Sequence, residues 1–131
     1  PRLVKRIEGV GVLKRFATKR IPTIDPKYYT EVVAGMRGAV IGGTCRRANI
    51  EGIEVCGKTG TAQNPHGRDH SAFMGFAPMN NPKIAVAVYV ENGGFGAEYG
   101  VPIGSLMIEK YLKGEVKRTE MENQMMNSRI K

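Results

Sequence analysis

Four consecutive residues, Lys58-Thr59-Gly60-Thr61, combine one cation with two hydroxyl groups. A lysine ammonium attracts a carboxylate, and hydroxyl groups add directional hydrogen bonds. Because Gly57 and Gly60 carry no side chain, another peptide can lie alongside this stretch if it forms an edge strand. An unpaired backbone N–H on such an edge can also stabilise an oxyanion. The tetrapeptide therefore predicts a site for a peptide carboxylate, with an ordinary polar edge strand as an equal alternative.

The same stretch ends a pattern typical of phosphate-binding loops, G-x-x-x-x-G-K-[ST], which runs from Gly52 to Thr59. That loop needs a buried strand before it and a helix after it, so that backbone amides face the phosphates. Residues 46–51 are too polar for the strand, and Gly60 with Asn64-Pro65 prevents a sustained helix. Nucleotide binding is therefore only a minor alternative.

A helix is predicted upstream of the tetrapeptide. Asp25-Pro26 suits a helix start, and Gly42-Gly43 is expected to end the helix near Ile41. Between them, apolar residues recur at spacings of three and four, at Tyr29, Val32, Val33, Met36 and Val40. We interpret this stripe, with Met36 and the tyrosines, as part of the core.

Three strands and a second helix follow. The strands are predicted at residues 53–63, 70–77 and 84–90, and their short connections favour an antiparallel meander. The third strand is almost wholly apolar and β-branched, so we expect it to be central and buried on both faces. The second helix should start near Glu98 or Pro102 and run to Leu112, before Gly114. Residues 115–131 show no clear period and predict a tail without regular structure.

Composition limits the class of protein. The net charge is +8 over 131 residues, and the basic residues crowd the first twenty. Aromatic residues do not interleave with them, so we expect no nucleic-acid binding. Cys45 and Cys56 predict neither a disulfide framework nor a metal site, and no cofactor is expected. No signal peptide or membrane anchor is evident, and a start at proline suggests a piece of a longer protein.

Three consecutive motifs carry a family resemblance. They are Gly57-Lys-Thr-Gly-Thr-Ala-Gln63, Asp69-His-Ser-Ala-Phe-Met-Gly-Phe-Ala-Pro78 and Pro82-Lys-Ile-Ala-Val-Ala-Val-Tyr-Val-Glu-Asn-Gly-Gly94. In this order and spacing they resemble the C-terminal part of the transpeptidase domain of class B penicillin-binding proteins, closest to the penicillin-binding protein 2 type that serves cell elongation. The resemblance covers about residues 23–113.

The resemblance implies an α+β fold, part of the serine β-lactamase and penicillin-binding protein architecture. A three-stranded antiparallel meander would pack with one helix before it and one after it. The chain would then divide into a basic strand or linker segment at 1–24, the C-terminal portion of the transpeptidase domain at 25–113, and a disordered tail at 114–131.

The resemblance also implies roles for individual residues in peptidoglycan cross-linking at the periplasmic face of the bacterial cytoplasmic membrane. The family's K-T-G motif maps onto Lys58, Thr59 and Gly60. Lys58 would assist the substrate carboxylate and the serine of the family's middle motif. Thr59 and Thr61 would bind the carboxylate of a peptidoglycan stem peptide or a β-lactam, and the Thr61 N–H would form half of the oxyanion hole. His70 would support the neighbouring strand.

The chain departs from the family pattern in one large respect. It has no S-x-N motif, and its only S-x-x-K lies at Ser128, after the K-T-G motif instead of before it. The serine nucleophile is therefore absent, and we predict that the chain alone is inactive. The alternative is a non-enzymatic interaction module, including self-association as a homodimer or by domain swapping through exposed strand edges.

Overall fold

The computed structural model describes residues 8–11, 17 and 23–130. These contain α1 (Lys27–Ile41), a short 3-10 helix (Arg46–Ala48), β1 (Cys56–Ala62), β2 (His70–Ala77), β3 (Ile84–Val90), α2 (Gly100–Lys113) and α3 (Thr119–Asn127). The α+β prediction is confirmed, and β2 and β3 have the predicted bounds. Most of the basic segment at 1–24 lies outside the described residues, so its predicted strands stay untested, as does the division of the chain at residues 24 and 113.

The strands form one antiparallel sheet in the order β1-β2-β3. The prediction that β3 is central and buried on both faces is wrong, because β2 occupies the middle and no residue of β3 is buried. In a meander the middle strand of the chain is also the middle strand of the sheet. The apolar surface of β3 therefore exceeds what the described elements cover.

Helix α1 begins and ends where the sequence predicts. The Asp25 carboxylate accepts a hydrogen bond from the Lys27 N–H at 3.0 Å, and the chain leaves the helix at Gly42. Its apolar stripe, however, is not all core. Val40 is fully buried, whereas Tyr29 is 40% exposed and Val32 is 57% exposed. The described elements bury only the C-terminal end of the stripe. The prediction that the tyrosines belong to the core is therefore wrong.

The side chain of Phe73 in β2 fills the space between the sheet and α2. It is 2% exposed. A β-carbon added to Gly57 or Gly104 would lie 2.5 Å from its ring, and one added to Gly75 would lie 2.6 Å from it. Glycines from β1, β2 and α2 therefore make room for one aromatic ring, and the ring fixes how these three elements pack.

The C-terminal segment contains a helix, so the prediction of a tail without structure is wrong. Gly114 ends α2 in a left-handed conformation, and α3 follows at Thr119–Asn127. Arg118 Nε lies 2.9 Å from Glu109 Oε2, and Arg118 Nη1 donates to the Arg47 carbonyl at 2.9 Å. Because Glu109 is only 1% exposed, this ion pair anchors the segment to α2. Such a long-range contact leaves no periodic signal in the sequence.

Replacing Arg118 by alanine should lower the free energy of unfolding by roughly 3 kcal/mol, because the buried Glu109 carboxylate would lose its cation. Arg46→Ala is the matched control, since Arg46 is exposed and its side chain makes no ion pair within the described residues. Urea denaturation of both variants measures the difference. Equal losses would show that the Arg118–Glu109 pair contributes little to stability.

Within residues 8–11, 17 and 23–130, the helices are too short or too polar to cross a membrane.

Candidate functional site

Strand β1 is an edge strand within the described sheet, with β2 as its one neighbour. Lys58 pairs with Met74 and Gly60 pairs with Ala72, whereas Thr59 pairs with Phe73. Paired residues of an antiparallel sheet share a face. Lys58 and Gly60 therefore lie on one face, and Thr59 and Thr61 lie on the face that carries Phe73. The strand thus brings together the four residues that the sequence singles out.

Lys58 is exposed and has no anionic partner among the ion pairs of the described residues. Its Nζ donates to the Thr59 carbonyl oxygen at 2.9 Å, which folds the side chain along its own strand. Such a neutral contact is readily exchanged for a carboxylate. The site therefore offers an unneutralised positive charge beside a strand edge.

The hydroxyl of Thr59 has a partner that no local pattern in the sequence indicates. Thr44 Oγ1 and Thr59 Oγ1 lie 2.9 Å apart. Thr44 belongs to the turn that follows α1, and only the tertiary fold brings it to β1. Next to it, Cys45 is fully buried, and burial raises the pKa of its thiol against the lowering effects of Thr44, Thr59 and Lys58.

The glycine-rich loop between β3 and α2 packs against β1 and β2. A β-carbon added to Gly96 would lie 2.5 Å from the Ala72 carbonyl oxygen and 2.7 Å from the Gly60 carbonyl oxygen. The loop is held by the Ser71 hydroxyl, which donates to the Phe95 carbonyl at 2.8 Å and accepts from the Gly100 N–H at 3.0 Å. The glycine-rich loop therefore supports the backbone of β1 at Gly60.

His70 lies at the first position of β2, paired with Ala62 at the far end of β1. Its Nδ1 accepts a hydrogen bond from the Asn92 N–H at 3.0 Å. Its ring packs on Tyr89 with the centroids 5.3 Å apart. These contacts join β2 to the end of β3, and support of the strand beside the candidate site by His70 stays a prediction.

A shallow depression of about 310 Å³ lies on the face of the sheet that carries Lys58. Met74, Ala87 and Tyr89 contribute to its largely apolar floor. Met74 and Tyr89 are 59% and 58% exposed. The charged and polar edge of β1 therefore borders an apolar surface.

The phosphate-loop alternative finds no support in the local geometry. Lys58 and Thr59 lie inside β1, which continues to Ala62 and is followed by turns instead of a helix. Within the described ranges, no group of three His, Cys, Asp or Glu side chains is placed to hold a metal ion.

Comparison with known proteins assigns the family. Residues 1–109 match the family described as the penicillin binding protein transpeptidase domain. The peptidoglycan D,D-transpeptidase MrdA of Haemophilus influenzae is 32% identical, over 94% of this chain and 22% of that protein. The peptidoglycan D,D-transpeptidase PbpA of Mycobacterium tuberculosis is 41% identical, over 53% of this chain and 16% of that protein.

A solved structure shows the same fold. The imipenem acyl-enzyme complex of penicillin-binding protein A from M. tuberculosis aligns with a TM-score of 0.60 and 36% identity, over 68% of this chain and 20% of that chain. This chain spans less than a quarter of the length of these relatives. The resemblance and the fold predicted from the three motifs are confirmed. The chain therefore belongs to the penicillin-binding protein transpeptidase domain family, in its class B, penicillin-binding protein 2 type branch.

Proposed function

We propose that this chain supplies the K-T-G wall of the active site of a peptidoglycan D,D-transpeptidase. The observation that carries the proposal is the exposed edge of β1, where Lys58 has no anionic partner within the described residues and two threonines lie beside it. Relatives named as peptidoglycan D,D-transpeptidases support the reaction class. The substrate is then a stem peptide of peptidoglycan, handled at the periplasmic face of the cytoplasmic membrane.

In this proposal each residue of the strand has one role. The Lys58 ammonium attracts the substrate carboxylate and stabilises the charge that develops during acylation. Thr59 and Thr61 donate hydrogen bonds to the same carboxylate from the opposite face of the strand edge, and Gly60 leaves room for the substrate backbone. The Thr61 backbone N–H serves as one donor of the oxyanion hole. A β-lactam presents a comparable carboxylate, and the imipenem acyl-enzyme complex of a relative supports β-lactam binding by the longer protein.

The serine that forms the acyl-enzyme has to come from residues outside this sequence. No S-x-N motif occurs in it, and Ser128 of the only S-x-x-K lies just beyond α3. A nucleophile must lie within hydrogen-bond reach of its base. We therefore assign a supporting strand to this chain, and the acylated serine to a longer protein that contains it.

The chain alone should form no covalent adduct with a fluorescent penicillin, because removal of the nucleophile lowers such a rate by about six orders of magnitude. A longer protein that includes the upstream motifs should give a labelled band under the same conditions. Denaturing gel electrophoresis compares the two. A stable band from the chain alone would contradict the proposal, and mapping the adduct to Ser128 would assign the nucleophile to this chain.

Self-association is a second candidate, favoured by the exposure of β3. Every residue of this strand is apolar, none is buried, and Tyr89 is 58% exposed. An edge strand with one exposed apolar face can pair with another copy of the chain. Light scattering distinguishes a monomer from a dimer of the isolated chain. A monomer at all accessible concentrations would exclude self-association.

A further inference from the structure

We propose that Thr44 is a positioning residue that sets the direction of the Thr59 O–H bond toward the bound carboxylate. The inference rests on the proposed function, since it concerns how the K-T-G strand recognises that carboxylate. It adds a residue from outside the strand, on the turn after α1. The contact that carries it is the 2.9 Å separation of Thr44 Oγ1 and Thr59 Oγ1.

Each of the two hydroxyl groups carries one proton that it can donate. Either oxygen of the pair can be the donor. If Thr59 donates to Thr44, the Thr59 oxygen presents only lone pairs to an incoming ligand. If Thr44 donates to Thr59, the Thr59 proton is free to bind a ligand. An ionised carboxylate only accepts hydrogen bonds, so it is bound by the second arrangement and repelled by the first.

The turn that carries Thr44 is held firmly in place. The N–H groups of Gly43 and Cys45 both donate to the Ala39 carbonyl, at 3.2 and 2.9 Å. A β-carbon added to Gly43 would lie 2.8 Å from Ala39 Cα, so the turn packs closely on the end of α1. Thr44 Oγ1 is therefore presented to β1 from a fixed backbone, which is what a positioning residue requires.

Cys45, the next residue of the turn, is fully buried, which anchors the backbone directly after Thr44. When Thr44 donates to Thr59 and Thr59 donates to the carboxylate, the two hydrogen bonds polarise each other, which strengthens the bond to the carboxylate.

Thr44 itself is exposed, so its side chain is not required to fill the core. If Thr44 had only a structural role, its replacement would affect acylation equally for ligands with and without a negative charge. A positioning role makes the effect depend on a carboxylate in the ligand. The experiment therefore compares a ligand that has a carboxylate with one that lacks it.

The test uses Thr44→Val and Thr44→Ser in the longer protein that carries the serine, with Thr30→Val on exposed α1 as the matched control. The second-order acylation rate is measured with a penicillin and with its methyl ester, which lacks the anionic group. For the free acid, Thr44→Val should slow acylation about tenfold, the effect expected for one hydrogen bond. Thr44→Ser should restore the rate, and the ester should acylate all variants at its own unchanged rate.

A double-mutant cycle with Thr59→Val provides the second measurement. If Thr44 acts through Thr59, adding Thr44→Val to Thr59→Val should slow acylation no further. An unchanged rate for Thr44→Val, an equal loss with the ester, failure of Thr44→Ser to rescue, or additive effects would each overturn the inference. If Lys58→Ala slows acylation while Thr44→Val does not, only this inference fails. If neither slows it, the proposed function fails as well.

Discussion

Replacing Lys58 by alanine in the longer enzyme should slow acylation by a β-lactam at least about a hundredfold, the effect of removing a preorganised group from a site of developing charge. The free energy of unfolding should change by less than about 0.5 kcal/mol, since the side chain is exposed. Its one hydrogen bond within the described residues goes to the carbonyl of the next residue, Thr59. Loss of that contact leaves no buried group without a partner. The charge is therefore available for ligand recognition and contributes little to folding.

Lys83→Ala is the matched control for this prediction, because Lys83 is also exposed but lies in the turn between β2 and β3. Stopped-flow acylation with a chromogenic β-lactam gives the rate constants, and urea denaturation gives the stabilities. The loss for Lys58→Ala should shrink at high salt, since added salt screens the charge that the wild type retains. Acylation at the wild-type rate by a stably folded Lys58→Ala enzyme would contradict the proposed role of the strand.

Phe73→Ala should lower the free energy of unfolding by about 3–5 kcal/mol, the usual cost of deleting a buried aromatic ring. Small domains are stable by only about 5–15 kcal/mol, so this loss is a large fraction of the total. The ring is 2% exposed and packs among Gly57, Gly75 and Gly104. Because glycines cannot fill the space that the ring leaves, the cavity should collapse only partly.

Met74→Ala is the control from the next position of the same strand. Met74 points to the opposite face of the sheet and is 59% exposed, so its replacement should cost less than about 1 kcal/mol. Urea denaturation of the two variants measures the contrast. Gly57 immediately precedes Lys58, so Phe73→Ala should also displace the K-T-G strand and slow acylation in the longer enzyme. Similar stabilities for the two variants would show that Phe73 does not organise the core.

Local patterns in the sequence were sufficient for most of the secondary structure. Asp25-Pro26 and Gly42-Gly43 bracket α1 within a residue or two, and the predicted bounds of β2 and β3 match the structure. These signals depend on backbone preferences of neighbouring residues, which act before any distant contact forms. The candidate site was also local, because its residues are consecutive in the chain and lie together on one strand.

The predictions that failed concern what covers an element. The apolar run of β3 predicts a central strand, and the stripe of α1 predicts a buried helix face, but the structure places β3 at an edge and leaves much of the stripe exposed. Apolar periodicity identifies a face that favours burial, but it does not identify the partner that covers this face. In the described part of the chain, Val40 is the one fully buried residue of the α1 stripe, Val33 and Met36 are half-buried, and β3 lies at an edge of the sheet.

The sequence alone determined α1, the three strands, α2 and the family of this protein, because consecutive residues carry each of those signals. Only the tertiary structure decided that Thr44 meets Thr59, that three glycines enclose Phe73, and that Arg118 pairs with Glu109 to hold α3. The physical reason is that each of these contacts joins segments whose approach depends on the packing of the whole domain. The residue types permit each of these contacts, but their neighbours in the sequence do not specify which partner each residue meets.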